Sequence, residues 1–299
     1  MHYRFELFTP ENSYDAAAFV RRHEYCCVNL AEQLRLCICP EYTVRYKKAA
    51  LLYECAPQQK RCCGVLLFTR FGMLLHCFAP GLPQDVISAF GTFFLTHDFA
   101  FQDLHAVSGT AAETRLLEHL IHTITGKAGT AAFDYHLMSL MQPCGTGFTE
   151  LLRENTGAAV DIARAEERDA EALFPLQLEY EREEVAYGGQ KINPAACRLS
   201  LQRRIRQTYI YVLRINGNTT AKAEINGQGF YWFQLGGIYT LPEYRNKGAG
   251  AAVLAHLINT HRHSVHGFSL FVKTGNDTAI RLYTKLGFTH CGSFRMSYR

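Results

Sequence analysis

Gly236-Gly237-Ile238-Tyr239-Thr240-Leu241-Pro242-Glu243-Tyr244-Arg245-Asn246-Lys247-Gly248-Ala249-Gly250 lies late in a chain of 299 residues. It reads as an apolar strand, a proline stop, and a basic, glycine-rich turn that opens a helix. The first backbone N–H groups of a helix lack intrahelical partners and carry the positive end of its dipole, so such a turn can surround a pyrophosphate. Gly248 and Gly250 remove the Cβ atoms that would hold phosphate oxygens away. Arg245 and Lys247 bring charge, and residues 251–258 continue as an apolar-rich helix. The pattern points to a nucleotide-containing ligand.

A Gly-x-Gly alone marks many ordinary turns, so its surroundings decide. A strand over 268–273 follows the helix, and then Asn276-Asp277-Thr278-Ala279-Ile280-Arg281-Leu282-Tyr283-Thr284-Lys285-Leu286-Gly287-Phe288, a helix that Gly287 terminates. Pro242-x-x-Arg245-x-x-Gly248-x-Gly250, followed after one helix and one strand by Asn276-x-x-Ala279-x-x-Leu282-Tyr283-x-x-Leu286-Gly287-Phe288, resembles the two signature motifs of the GNAT superfamily of acetyl-CoA-dependent N-acetyltransferases. The resemblance is strong over 207–299 and fainter over 156–206. It implies an α/β (α+β) chain with the GNAT fold, a mixed, twisted central sheet flanked by helices. It further implies acetyl-CoA as acyl-donor cosubstrate and direct attack by a primary amine of the acceptor.

The same resemblance assigns roles. Arg245, Asn246, Lys247, Gly248, Ala249 and Gly250 form the pyrophosphate cradle, the backbone around Ile238, Tyr239 and Thr240 meets the pantetheine arm and the oxyanion, and Asn276 completes the cofactor-binding set. Tyr283 stands where the family usually places its general acid; a phenol with a reference pKa near about 10 stays protonated and can donate to a departing thiolate of about 8.5. Many relatives carry a glutamate where this chain has Gln234, and an amide is no base. Proton removal then falls to Glu224, to Glu183 or Glu184, or to water, with Glu224 the chosen base. An ordinary paired glutamate is the competing reading of Glu224, because strand parity can turn it from the cleft.

The length suits two domains. Residues 1–145 repeat, faintly, the order of the second half: helices across 10–36, strands near 49–54, 63–69 and 73–78, a helix from Gln84, a strand at 105–109, a helix over 113–124 and a strand over 132–141. Yet Ala79-Pro80-Gly81-Leu82-Pro83-Gln84 holds no basic residue and no Gly-x-Gly, and its two prolines remove amide donors. The first half is therefore expected to be a degenerate GNAT-like domain without the pyrophosphate loop, shaping the acceptor site or serving as scaffold. Residues 146–299 form the catalytic domain after the turn-rich Pro143-Cys144-Gly145-Thr146-Gly147.

Within the second half, 156–164 reads as a first strand and 169–187 as a helix. Glu179, Glu181, Glu183 and Glu184 crowd its C-terminal part, either as a solvated face or facing a cationic acceptor. Residues 208–215 and 219–225 pair across Asn216-Gly217-Asn218, and 230–240 feeds the cradle. The arginines at 198, 203, 204 and 206 read as a solvated helix face. His261-x-His263-x-x-His266 suits a helix C-terminus better than a metal.

The net charge of +4 is too small to argue for nucleic acid. Eleven cysteines, an odd number with no Cys-x-x-Cys, read as free thiols rather than a zinc set, with redox sensing as the residual alternative; no metal is expected. The N-terminus lacks a signal-peptide run and no apolar stretch reaches a membrane span, so a cytoplasmic protein is expected. Two other functions stay open: a non-catalytic acyl-CoA-binding module, and an aminoacyl-tRNA-dependent transferase, which would need a stronger basic surface. The acceptor (lysine, polyamine, amino acid, aminoglycoside or peptide amine) and the oligomeric state are not legible.

Overall fold

The structure, a computed structural model, describes residues 2–38, 46–82, 86–97, 101–142 and 144–299. Cys39, Pro83, Gln84 and Pro143 lie outside them. The chain divides into two compact units, one comprising Met1–Leu137, Gln228–Trp232 and Cys291–Arg299, the other Met138–Gly227 and Phe233–His290.

The first unit is built from β1 (His2–Leu7), α1 (Ser13–His23), α2 (Val28–Ile38), β2 (Tyr46–Ala56), β3 (Gln59–Thr69), β4 (Met73–Phe78), α3 (Val86–Thr96), β5 (Ala106–Thr110), α4 (Ala111–Thr125) and β6 (Ala131–Leu140). The second contains α5 (Phe148–Thr156), β7 (Val160–Arg164), α6 (Ala170–Tyr180), α7 (Pro194–Gln207), β8 (Tyr209–Ile215), β9 (Asn218–Gln228), β10 (Trp232–Thr240), α8 (Ala249–His261), β11 (Gly267–Lys273) and α9 (Asp277–Lys285). The last strand, β12 (Thr289–Tyr298), returns to the first unit, pairing antiparallel with β5 through Phe294↔Thr110 to Tyr298↔Ala106. From β1 to β6 and from β7 to β12, setting α5 aside, the chain runs through one order of elements twice. The repeat read faintly from the sequence is a repeat of topology.

In the first unit the strands lie in the order β1-β2-β3-β4-β5-β12-β6, antiparallel from β1 to β4 and parallel between β4 and β5, where α3 makes the crossover. β2 to β4 are near-continuous apolar runs, as strands covered on both faces must be. Leu52, Phe68, Leu74 and Val107 meet Phe90 and Phe94 of α3 and Ile121 of α4 in one core. Glu24, buried between α1 and α2, accepts the backbone N–H groups of Tyr231 (2.9 Å) and Trp232 (3.1 Å), which gives a buried carboxylate its hydrogen bonds.

In the second unit the order is β6-β11-β10-β9-β8-β7, β6 contributing Met138–Leu140. The alanine-rich α8 is buried along most of its length, packed with Leu213, Ala223, Leu235, Leu270 and Phe288. Two sequence expectations change, and two strands are added. The helix expected over 169–187 ends at Tyr180 and passes into a π-helical turn, Glu181–Val185. The strand expected over 156–164 begins at Val160, because Phe148–Thr156 is helical and closes on left-handed Gly157. β1 and β12 were not foreseen. Among the described residues no helix is long and apolar enough to cross a membrane.

α7 starts at Asn193, whose side chain accepts from the N–H groups of Ala195 (3.0 Å) and Ala196 (3.2 Å), with Pro194 in the first turn. Asn193→Ala is expected to cost about 1 kcal/mol, read as a lower urea midpoint at an unchanged m value.

Candidate functional site

The cradle segment folds as its residues require. β10 ends at Thr240, Pro242–Tyr244 form a single 3₁₀ turn, and Asn246 (φ 62°) and Gly248 (φ 100°) take left-handed conformations that reverse the chain into α8. Gly248 is the N-cap of α8, and no side chain caps that end. Ala249 and Gly250 follow, so the first turn carries only small groups above its free amides. A Cβ on Gly250 would touch Thr240 Oγ1 and Leu282 Cδ2, both at 3.4 Å, so the loop, the end of β10 and α9 converge here. Asn276 caps α9, its Oδ1 accepting the Ala279 N–H at 3.1 Å.

Arg245 is exposed, but its guanidinium is already engaged. Its Nε donates to the Thr240 carbonyl (3.0 Å) and its Nη2 to Glu183 Oε2 (2.8 Å). The other oxygen of Glu183 accepts the Tyr239 hydroxyl at 2.6 Å. These two donors hold the Glu183 carboxyl below its ordinary range, against a desolvation that works the other way. Burial and then the neighbouring Glu183 push the Tyr239 phenol up to about 12. Lys247 extends over the Tyr244 ring, 5.4 Å from its centre.

Behind the loop lies a polar knot that the sequence reading did not assemble. Lys222, on β9, is fully buried and donates through Nζ to the Gly237 carbonyl at 2.7 Å. Glu224, two residues on and on the same face of β9, is 2% exposed; its Oε1 accepts Arg204 Nη1 at 2.6 Å and lies 3.7 Å from Lys222 Nζ. Gly237 is left-handed (φ 54°), and a Cβ there would collide with the Glu224 carboxylate; one on Gly236 would collide with the Asn226 amide. Tyr180, at the end of α6, offers its ring face to Lys222 Nζ (4.8 Å) and shares a hydrogen bond with the Gly237 backbone. Desolvation lowers the Lys222 pKa to about 8, opposed by Glu224.

Tyr283, on the inner face of α9, is buried at 7% exposure. Burial first, then Tyr180 and Glu184, raise its pKa, so its hydroxyl is protonated at neutral pH. Tyr283 and Tyr180 thus share one environment. Gln234 is also buried, its Oε1 without a partner. Ile238 lies between Gly237 and Tyr239 on β10, with β11 as the next strand in the sheet.

The acidic run is spent on internal partners rather than on a free surface. Glu179 pairs with Arg182 (2.5 Å), Glu181 accepts Gln177 (2.9 Å), Glu183 is engaged as above, and Glu184 lies 3.3 Å from Lys273. Of the arginine cluster, Arg198 pairs with Glu171 and Arg204 turns inward to Glu224. His261 packs among Tyr209, Tyr211 and Phe233, its Nε2 3.1 Å from the Tyr211 hydroxyl, which gives it an aromatic rather than a ligating environment. Lys222 had one sequence signal: Ala221-Lys222-Ala223-Glu224 places two charges on one face of a strand otherwise flanked by alanine, a pattern of buried pairing.

Residues 165–288 match the family model described as Acetyltransferase (GNAT) family. No curated protein sequence matches the chain. Among solved structures, a Drosophila protein determined by X-ray crystallography in a structural genomics programme aligns over 99% of this chain and 98% of its own at 11% identity, with a TM-score of 0.65. A tandem GNAT protein from the clavulanic acid biosynthesis pathway covers 100% of this chain and 98% of its own at 11% identity and a TM-score of 0.55. A GCN5-related N-acetyltransferase from Kribbella flavida covers 94% and 95% at 16% identity, TM-score 0.52. At these identities the structures testify to the fold, and they do so for the whole chain.

The buried lysine makes stability depend on pH with a definite sign. A base whose folded pKa lies below its unfolded value of about 10.4 binds fewer protons when folded, so its contribution to stability rises with pH between the two. Below about 8, Lys222 is charged in both states and carries its full burial penalty. The parent is therefore expected to gain stability relative to Lys222→Met as pH rises from about 8 toward about 10. Urea unfolding of both proteins on either side of that range checks it; a constant difference would mean that Lys222 keeps its proton.

Proposed function

We propose that the chain is a tandem-type member of the GNAT superfamily and that its second unit moves an acetyl group from acetyl-CoA to a primary amine by direct attack. The observation that carries this reading is the uncapped start of α8. Free amides, left-handed Asn246 and Gly248, and side chains no larger than a methyl leave room for a pyrophosphate. The residues from Arg245 to Gly250 would hold the diphosphate, and Asn276 would keep α9 in place beside it. Acetyl-CoA bound there would supply an activated thioester.

The backbone N–H groups at Ile238, Tyr239 and Thr240 are the donors assigned to the thioester oxygen as negative charge develops on it. Lys222 and Tyr180 hold the Gly237 peptide next to them and so fix their direction. Tyr283, protonated at neutral pH, gives its proton to the departing thiolate. Glu224 stays in this reading as the proton acceptor through Oε2, the carboxylate oxygen without a partner. Arg204 and Lys222 occupy its other oxygen, Oε1, and an amine that arrives neutral needs no proton removed before it attacks.

Release of CoA thiol from acetyl-CoA across a panel of amines tests the proposal, with Tyr283→Phe alongside the parent. The expected result is amine-dependent thiol release in the parent and a fall on the order of 10²–10⁴-fold in Tyr283→Phe with CoA affinity nearly intact. Tight CoA binding without thiol release for any amine would instead identify a non-catalytic acyl-CoA-binding module. Equal losses of affinity and rate would make Tyr283 a binding residue.

A further inference from the structure

Three cysteines from two stretches of the chain meet in the first unit. Cys26 and Cys27 lie between α1 and α2, and Cys77 lies on β4. Their Sγ atoms all fall within 4.8 Å of one another, and each of the three pairs is close enough for a thiol hydrogen bond. The residues are 6%, 6% and 1% exposed. Cys26 Sγ and Cys27 Sγ both donate to the His23 carbonyl, at 3.0 and 3.3 Å, which holds the two sulfurs side by side in the reduced protein; at least one of these bonds is given up when two thiolates form.

A disulfide does not use this arrangement, since any pair leaves a third thiol in the same contact. A centre bound by all three does. With metal–sulfur bonds of about 2.3 Å, sulfurs around a trigonal ion stand about 4 Å apart, within the span found here. Zinc closes a structural site with four protein ligands, and among the described residues no histidine or carboxylate joins the three sulfurs. Soft thiolates select Cu(I), which is satisfied by three.

We propose that Cys26, Cys27 and Cys77 form a trigonal all-sulfur site for Cu(I). Binding is a ligand exchange without redox change: Cu(I) with three thiols gives a centre with two thiolates and one thiol, and two protons leave. A third deprotonation would bury a further negative charge, which the apolar surroundings disfavour. The site lies in the unit without the basic glycine turn, so it stands independently of the acetyl-transfer proposal.

The test is anaerobic titration of the reduced, full chain with Cu(I) in competition with a chromogenic Cu(I) chelator, followed by X-ray absorption of the loaded protein. The expected result is one Cu(I) per chain withheld from the chelator, about two protons released per ion, and three sulfur scatterers at about 2.3 Å. Cys77→Ser should weaken binding by about 100-fold or more, and Cys62→Ser should leave it unchanged. Copper surrendered to the chelator, a two-sulfur or mixed nitrogen–oxygen shell, equal binding in Cys77→Ser, or equal loss in Cys62→Ser would each overturn the proposal. If Cys77→Ser does not fold, the scatterer count in the parent decides alone.

Discussion

The ammonium of Lys222 on the carbonyl of Gly237 is the interaction on which the candidate site depends. A fully buried cation must be neutralised and hydrogen-bonded, and Glu224 together with the Gly237 oxygen does both. Each partner then constrains another residue. Glu224 occupies the space that a Cβ at position 237 would need, so only glycine fits, and that glycine adopts a left-handed conformation in the middle of a strand. Arg204 completes the pairing from α7, and Tyr180 closes over the ammonium from α6. The strand leading to the α8 N-terminus is thereby fixed from behind, leaving its following residues, Ile238 to Thr240, with a defined direction.

The loop itself is organised by one carboxylate. Glu183 takes the Tyr239 hydroxyl and the Arg245 guanidinium on its two oxygens, tying the end of β10 to the basic turn. This gives the acidic run after α6 a structural purpose without an acceptor. It also means that the positive charge of Arg245 is already partly balanced, so the backbone amides and Lys247 carry more of the attraction for an anion than the arginine count suggests.

Local patterns were legible in the sequence where chemistry and spacing coincided. Pro242, Gly248 and Gly250 punctuate the chain so strongly that the turn into α8 follows from them, and Asn276 and Gly287 bracket α9 in the same way. The double run of elements showed through as strands and helices in the right order. What was missed depends on distance along the chain. β12 has no local signal, because its pairing with β5 joins residues 184 to 192 positions apart and no local period announces such a partner. Lys222, Arg204, Tyr180 and Gly237 meet from four elements, and Cys77 reaches Cys26 and Cys27 across β2 and β3. A single sequence holds such residues as separate letters. The acidic run was visible but its partners were not, so its meaning changed once Tyr239, Arg245 and Lys273 stood beside it.

Both units run through one element order, yet only the second keeps a basic glycine turn between its fourth strand and the following helix; in the first, Ala79-Pro80-Gly81-Leu82 follows β4 without a cation. One acetyl-CoA per chain, bound at the start of α8, is therefore expected. Isothermal titration calorimetry of the full chain with acetyl-CoA measures this directly, with Gly250→Glu placing bulk and negative charge where the pyrophosphate would lie. A stoichiometry of one in the parent and no detectable binding in the variant is the expected result. Two equivalent sites per chain, or undiminished binding by Gly250→Glu, would contradict it.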